Sequence, residues 1–169
     1  MSIRKVAVTG VIAGAIALAA PLIEMVEGTK YTPYYDVAGV LTVCNGITGP
    51  DVVPGKTYSP RECRALLNKH IEKAAKAVDS SVKVEIPDSM RASLYSFTFN
   101  VGASAFRNST ALKMINQGKL REGCDWLLVW NKITKTQVKN GVKKKVKVVS
   151  NGLNNRRKEE HKMCVKDLK

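Results

Sequence analysis

The chain has 169 residues, of which 44% are hydrophobic, and a formal net charge of +14 at pH 7, from 28 Lys and Arg against 14 Asp and Glu. This length suits one domain, or a compact domain with a small lobe, and the apolar content is high enough to exclude a disordered protein. The charge favours anionic partners, such as nucleic acid, anionic lipid or acidic envelope polymers, without choosing among them.

The N-terminal segment is the first predicted element. Arg4 and Lys5 precede 18 uncharged residues, Val6 to Ile23, about the length that crosses a bilayer as a helix with its N-terminus in the cytoplasm. Eight of those 18 residues are Ala or Gly, so insertion should be weak and the anchor reversible. Two alternatives stay open: a cleaved signal peptide, because Ala17 and Ala19 form an A-x-A pattern, and a buried core helix.

Three polar residues follow this segment in an E-x8-D-x5-T array: Glu27, Asp36 and Thr42. Glu27 should end a helix beside apolar surface, where a carboxyl group tends to keep the proton that a general acid donates. Asp36 lies in a wetter turn and should stay ionised to activate a water, which the Thr42 hydroxyl on a strand would position. The array predicts a glycoside hydrolase, although such spacing alone is common.

The rest of the chain predicts a small β-lobe followed by helices. Residues 31–51 are rich in Gly, Thr, Val and Tyr and indicate short strands. Ser59, Pro60 and Glu62 form a capping box that begins a helix. Further helices are predicted from Pro87, from about Ser109, around Cys124 to Trp130 with both tryptophans in the core, and from about Asn154 to Asp167.

A basic hairpin is predicted between the last two helices. Residues 133–149 alternate Val with Lys around Asn140 and Gly141, which is typical of a type I′ turn. Positive charge is concentrated there by Lys139, Lys143, Lys144, Lys145 and Lys147. The hairpin either binds anionic envelope polymers or lipid headgroups, or is solvated and has no ligand.

The cysteines indicate an oxidising compartment. Cys44, Cys63, Cys124 and Cys164 are even in number and can pair in three ways. No C-x-x-C spacing occurs, and His70 and His161 are isolated, so we expect neither a metal site nor a cofactor.

The wider pattern E-G-x-x-Y-x-x-Y-x-D-x-x-G-x-x-T, from Glu27 to Thr42, resembles the signature of the phage T4-type lysozymes. The resemblance extends through four further segments as far as Cys164. It implies a mostly helical α+β fold with a small β-lobe at about 27–58 and a helical lobe at about 59–169. It also implies hydrolysis of peptidoglycan with inversion by Glu27, Asp36 and Thr42. The disulfides that it implies are Cys44–Cys63 and Cys124–Cys164.

The N-terminal run resembles the signal-anchor-release segment of the endolysins of lambdoid phages. That resemblance implies an anchor over residues 1–26 and a catalytic domain over 27–169. The protein would be exported by the host secretion machinery, held inactive at the inner membrane facing the periplasm, and then released as a soluble periplasmic enzyme. Its partners would be peptidoglycan and that membrane, not nucleic acid, and it would be a monomer. The lysine-rich hairpin departs from the family pattern.

Weaker candidates accompany the catalytic array. Tyr31 and Tyr35 could stack on sugar rings, although tyrosines in a small β-lobe more often pack. Asn100 could reach the cleft or serve a structural role at a helix end. Arg156 and Arg157 could bridge carboxylates, with a solvated first helical turn as the default.

Two other functions remain open. A lytic transglycosylase would cleave the same bond without water and would have little use for Asp36 or Thr42. A non-enzymatic cationic membrane-disrupting protein would use the anchor and the hairpin, and it would be insensitive to replacement of Glu27 by Gln.

Overall fold

The computed structural model describes residues 3–36 and 39–169, with side chains in the first helix from Ala13 onward. Along the chain the elements are α1 (Ile3–Glu27), β1 (Lys30–Tyr35), β2 (Leu41–Cys44), β3 (Ile47–Thr48), α2 (Pro60–Ser81), α3 (Asp88–Val101), α4 (Ala103–Arg107), α5 (Thr110–Asn116), α6 (Leu120–Asp125), β4 (Lys132–Lys139), β5 (Val142–Val149) and α7 (Asn151–Val165). The predicted mostly helical α+β class is confirmed.

The C-terminal half of α1 is part of the main hydrophobic core. This half packs against α2, α3 and α7 and has five buried apolar residues: Ala15, Ala19, Ala20, Leu22 and Ile23. Alanine side chains let neighbouring helices approach closely, which suits this position. The side chains of residues 6–12, the first part of the predicted anchor, lie outside the described residues. In the described part of the chain, no helix has the length and apolar content needed to cross a bilayer.

Helix α3 is the centre of the helical lobe. Nearly all of its residues from Ser89 to Thr98 are buried, and α1, α2, α4 and α7 contact it. A helix that is buried on all sides needs its polar side chains satisfied internally. Ser93 and Ser96 meet this need by donating hydrogen bonds to α7, to the carbonyl oxygen of Glu160 at 2.6 Å and to its Oε1 at 2.7 Å.

The first sheet is antiparallel, in the order β1-β2-β3. Tyr34 pairs with Thr42 and Lys30 with Cys44, with an irregularity between these two pairs. The Cys44–Cys63 disulfide joins the end of β2 to the first turn of α2. Helix α2 begins as predicted, with the Ser59 side chain and Glu62 forming a capping box. The sheet is therefore held covalently to the helical lobe.

The C-terminal region corrects one prediction. The helix expected to run through Trp130 ends at Asp125 and continues as turns, and the Trp126 side chain is 39% exposed instead of lying in the core. Trp130 is partly buried and packs edge-on against Phe97, with ring centroids 5.5 Å apart. The Cys124–Cys164 disulfide links α6 to α7, so both implied disulfide pairings are confirmed.

The predicted basic hairpin is confirmed. Strands β4 and β5 pair in register from Lys132↔Val149 to Lys139↔Val142. Asn140 and Gly141 have φ values of 52° and 78°, the left-handed conformation that a type I′ turn requires at both positions.

Candidate active site

Glu27 is the last residue of α1, and its carboxylate contacts an arginine from the far end of the chain. Oε1 accepts a hydrogen bond from Nη1 of Arg156. The Glu27 side chain is 28% exposed and that of Arg156 only 4%. The sequence predicted an apolar setting for this carboxyl group, and the structure instead places a buried cation beside it. The ion pair fixes the orientation of the carboxylate.

Arg156 belongs to a buried polar network at the interface of α3 and α7. Its Nε lies 2.9 Å from Oε1 of the fully buried Glu160, and its Nη2 donates to the Ser96 carbonyl oxygen at 3.1 Å. Arg156 thus joins the two carboxylates of Glu27 and Glu160 to the backbone of α3. The default expectation of a solvated first turn of α7 is wrong for this residue.

Arg157 lies beside this network and is fully buried. Its guanidinium stacks on the Phe97 ring, 4.9 Å from the centroid, and lies 3.1 Å from Oε2 of Glu160. Burial lowers the pKa of Arg157 to about 10, and the Glu160 carboxylate opposes that shift. Arg157 therefore stays charged at neutral pH, and its Nη2 donates to Oδ1 of Asn100.

Asp36 and Thr42 are connected through the backbone of a single residue, Val40. The Val40 N–H donates to Oδ1 of Asp36 at 2.9 Å, and the Thr42 hydroxyl donates to the Val40 carbonyl oxygen, also at 2.9 Å. Strand pairing between Tyr34 and Thr42 brings the ends of β1 and β2 together and makes these bonds possible. The Thr42 hydroxyl proton is therefore used internally, which leaves its oxygen able to accept a hydrogen bond.

The turn after β2 connects the sheet to the residue after Glu27. The side-chain amide of the buried Asn45 donates to the Gly28 carbonyl oxygen at 2.6 Å and to the Thr29 hydroxyl at 2.8 Å. Gly46 follows with φ of +77°, and a Cβ built on it would lie 3.8 Å from Oε2 of Glu27. This turn therefore passes close to the carboxylate oxygen opposite the one that Arg156 holds.

A cavity of about 260 Å³ begins at this turn. Residues from the sheet and from α2 to α4 line it, including Gly46, Thr48, His70, Thr98, Phe99 and Gly102. Glu27, Asp36 and Thr42 are not part of its lining. The cavity adjoins Glu27 through Gly46 and extends the site between the sheet and the helices.

The predicted substrate-binding residues are placed in two different regions. Tyr31 and Tyr35 lie on β1 and are 43% and 73% exposed, so neither packs in the sheet core. Asn100 is exposed on the last turn of α3, where it accepts the Arg157 bond and lines a second cavity, which also contacts the hairpin. Tyr35 directly precedes Asp36 in the chain.

The chain was compared with known proteins. Residues 24–160 match the family described as phage lysozyme. The protein named SAR-endolysin of Enterobacteria phage P21 is 47% identical over 135 residues, which cover 76% of this chain and 82% of that protein. The SAR-endolysin of Pseudomonas phage phiKMV is 37% identical over 163 residues, covering 96% of this chain and 91% of that protein.

Solved structures of phage endolysins also resemble this chain. An endolysin from Escherichia coli O157:H7 phage FAHEc1 superposes with a TM-score of 0.77 at 29% identity, covering 89% of this chain and 92% of that chain. The structure titled the active form of the P1 phage endolysin Lyz gives a TM-score of 0.73 at 25% identity, with coverage of 88% and 83%.

Proposed function

Because the chain belongs to the phage lysozyme family, we propose that Glu27, Asp36 and Thr42 carry out its hydrolytic reaction. The protein is a phage endolysin, a lysozyme that cleaves the β-1,4 bond between N-acetylmuramic acid and N-acetylglucosamine in peptidoglycan. The observation that supports the assignment of residues is the connection of Asp36 to Thr42 through Val40. Thr42 lies on β2, and the turn that follows β2 passes close to Glu27.

Glu27 acts as the general acid in this proposal. Arg156 holds Oε1, so Oε2, which faces the Gly46 turn, is the oxygen that delivers a proton to the glycosidic oxygen. Proton donation to the leaving group typically contributes a factor of about 10² to 10⁴ in rate. The sugar that leaves then takes the proton, and positive charge develops at the anomeric carbon.

Asp36 and Thr42 act on the water. Asp36 accepts one proton from it as the general base, and the Thr42 oxygen accepts its other O–H as a hydrogen bond, because the hydroxyl proton of Thr42 is already donated to Val40. The water oxygen is then directed at the anomeric carbon from the face opposite the leaving group. Inverting enzymes leave about 6.5 to 9.5 Å between their carboxyl groups for such a water.

Product analysis tests this function. Peptidoglycan sacculi digested with the purified protein should release fragments ending in reducing N-acetylmuramic acid, read by mass spectrometry, with the α-anomer formed first. Fragments ending in 1,6-anhydro-muramic acid would instead identify a lytic transglycosylase. Cell killing without any glycan cleavage would identify the membrane-disrupting function.

The N-terminal segment, residues 1–26, is proposed to be a membrane anchor. It delivers the catalytic domain, residues 27–169, which has a small β-lobe at about 27–58 and a helical lobe at about 59–169. The host secretion machinery would export the protein to the inner membrane facing the periplasm. The name of the P21 relative and the weak hydrophobicity of the segment support this proposal. Ala15, Ala19 and Ile23 are buried in the core and cannot lie in lipid at the same time, so in this proposal the fold described above is that of the released enzyme.

Two α1 positions can separate anchoring from folding. Ala13 and Ala17 are exposed, so both tolerate larger side chains in the released enzyme. Replacing both with Leu should favour insertion by about 1 kcal/mol, about fivefold in partition, because each central Leu favours insertion by about 0.5 kcal/mol. More protein should then sediment with membranes, and periplasmic activity should fall, while the purified enzyme keeps its kcat.

The matched control replaces the same two alanines with Gln, which should give the opposite shift toward the soluble fraction. Equal membrane fractions for the Leu and Gln variants would contradict the anchor proposal.

A further inference from the structure

The hairpin of β4 and β5 has two chemically different faces. Because side chains alternate along a strand, the pairing Thr134↔Lys147 and Thr136↔Lys145 places these four residues on one face. We call this the lysine face; its members are Lys132, Thr134, Thr136, Val138, Lys143, Lys145, Lys147 and Val149. The opposite face consists of Ile133, Lys135, Gln137, Lys139, Val142, Lys144, Val146 and Val148. The lysine face thus carries four of the seven strand lysines and two apolar residues, whereas the opposite face carries three lysines and four apolar residues.

The hairpin lysines have no anionic partners in the described part of the molecule. Seven lysines lie in the two strands, all are exposed, and none of them forms an ion pair there. No Asp or Glu occurs in the sequence between Asp125 and Glu159. Like charges this close repel one another and destabilise the ribbon, and an anionic ligand would relieve that repulsion.

The base of the lysine face is one wall of a cavity of about 530 Å³. Lys132, Thr134 and Lys147 line this cavity from the hairpin, and Asn100 and Trp130 line it from the helical lobe. The cavity therefore joins the lysine face to the end of α3.

Asn100 connects this cavity to the active site. It accepts a hydrogen bond from Arg157, whose neighbour Arg156 holds Glu27. Lys147, Lys145 and Lys143 then continue outward from the cavity at intervals of about 6.8 Å, the repeat of alternate residues in a strand. A row of cations thus begins near the catalytic network and extends away from it.

We propose that the lysine face binds the acidic peptide substituents of the glycan strand whose sugars occupy the active site. The proposal rests on the proposed function, because it concerns the same substrate. The sugars of peptidoglycan supply few charges, whereas the peptides attached to muramic acid carry several carboxylates. An anionic lipid surface is the competing ligand, but it would give no reason for the row of lysines to start at a cavity shared with Asn100.

Two triple variants test the proposal with equal loss of charge. One replaces Lys143, Lys145 and Lys147 with Thr on the lysine face, and the other replaces Lys135, Lys139 and Lys144 with Thr on the opposite face. All six side chains are exposed and Thr favours strands, so both variants should keep the Tm of the parent protein. Because both variants lose the same net charge, any difference in binding between them comes from which face of the hairpin has lost its lysines.

Binding and hydrolysis are measured separately. Co-sedimentation with sacculi, in a Glu27→Gln background, should show a Kd about tenfold higher for the lysine-face variant, the size expected for three exposed charge pairs. The opposite-face variant should change by less than about threefold. In the active background, KM on sacculi should rise by the same factor while kcat stays within about twofold. On glycan strands stripped of peptides by an amidase, the lysine-face variant should match the parent.

Three outcomes would overturn the proposal. Equal losses of sacculus binding by the two triple variants would show a non-specific charge effect. If the lysine-face variant lost as much on stripped glycan strands as on sacculi, the lysine face would contact the sugars. If the lysine-face variant lost binding to phosphatidylglycerol vesicles but kept the parent Kd for sacculi, the ligand of the lysine face would be lipid. Failure of the parent protein to hydrolyse sacculi would instead contradict the proposed function, and the sedimentation result would still decide the role of the face.

Discussion

Replacing Glu27 with Gln should lower kcat/KM on peptidoglycan sacculi by a factor of about 10² to 10⁴, the contribution expected of a positioned general acid. Gln keeps the size and hydrogen-bonding shape of the side chain, so Arg156 can still contact it, but an amide cannot donate a proton to the glycosidic oxygen. The loss should appear in kcat, because the carboxyl group acts on the leaving oxygen. Dye release from labelled sacculi measures the rate.

Glu24 provides the matched control for this experiment. It lies on the same helix, three residues before Glu27, and pairs with Arg64 at 2.7 Å on the protein surface. Glu24→Gln removes the same charge from α1 and should leave activity within about twofold. If Glu27→Gln retained more than a tenth of the parent activity, Glu27 would not be the acid.

Replacing Arg156 with Met should lower the free energy of unfolding by about 3 to 5 kcal/mol, because it leaves the carboxylate of Glu160 buried with one cation fewer. Glu160 is fully buried, so water cannot replace the lost guanidinium. Arg156→Lys should recover little of this loss, since an ammonium group cannot reach Glu27, Glu160 and the Ser96 carbonyl oxygen together. Urea denaturation followed by circular dichroism measures the change.

Arg64→Met is the control for stability. Its ion pair with Glu24 is exposed, and such pairs contribute about 0 to 1 kcal/mol. Arg156 variants that unfold at the same urea concentration as Arg64→Met would show that the network around Glu160 contributes little to stability.

The sequence predicted the catalytic array from the spacing of its members together with the resemblance of the wider Glu27–Thr42 pattern to the phage T4-type lysozymes. Glu27, Asp36 and Thr42 lie within one helix end and one strand pair, so a short sequence pattern can include all three. The capping box of α2 and the type I′ turn of the hairpin are equally local, and both predictions are confirmed. The catalytic roles of the three residues remain predictions until tested.

The partner of Glu27 was harder to predict because it lies 129 residues further along the chain. The sequence did contain a signal for its burial. Arg156, Glu160 and Cys164 follow one another at intervals of four residues, which places them on one face of a helix. Since Cys164 was expected in a disulfide, that face had to be buried, and charges on it had to pair with each other or with a carboxylate elsewhere.

The burial of α1 has a consequence for how substitutions in it will act. In the proposed cycle, Ala15, Ala19 and Ala20 pass from a lipid environment into contact with α2, α3 and α7. A larger apolar side chain at any of these positions would be more soluble in lipid and would also be too large for the closely packed helices. Both effects favour the membrane-inserted state over the released enzyme. The time of lysis should therefore be more sensitive to substitutions at these alanines than the change in membrane insertion or the change in core packing would suggest by itself.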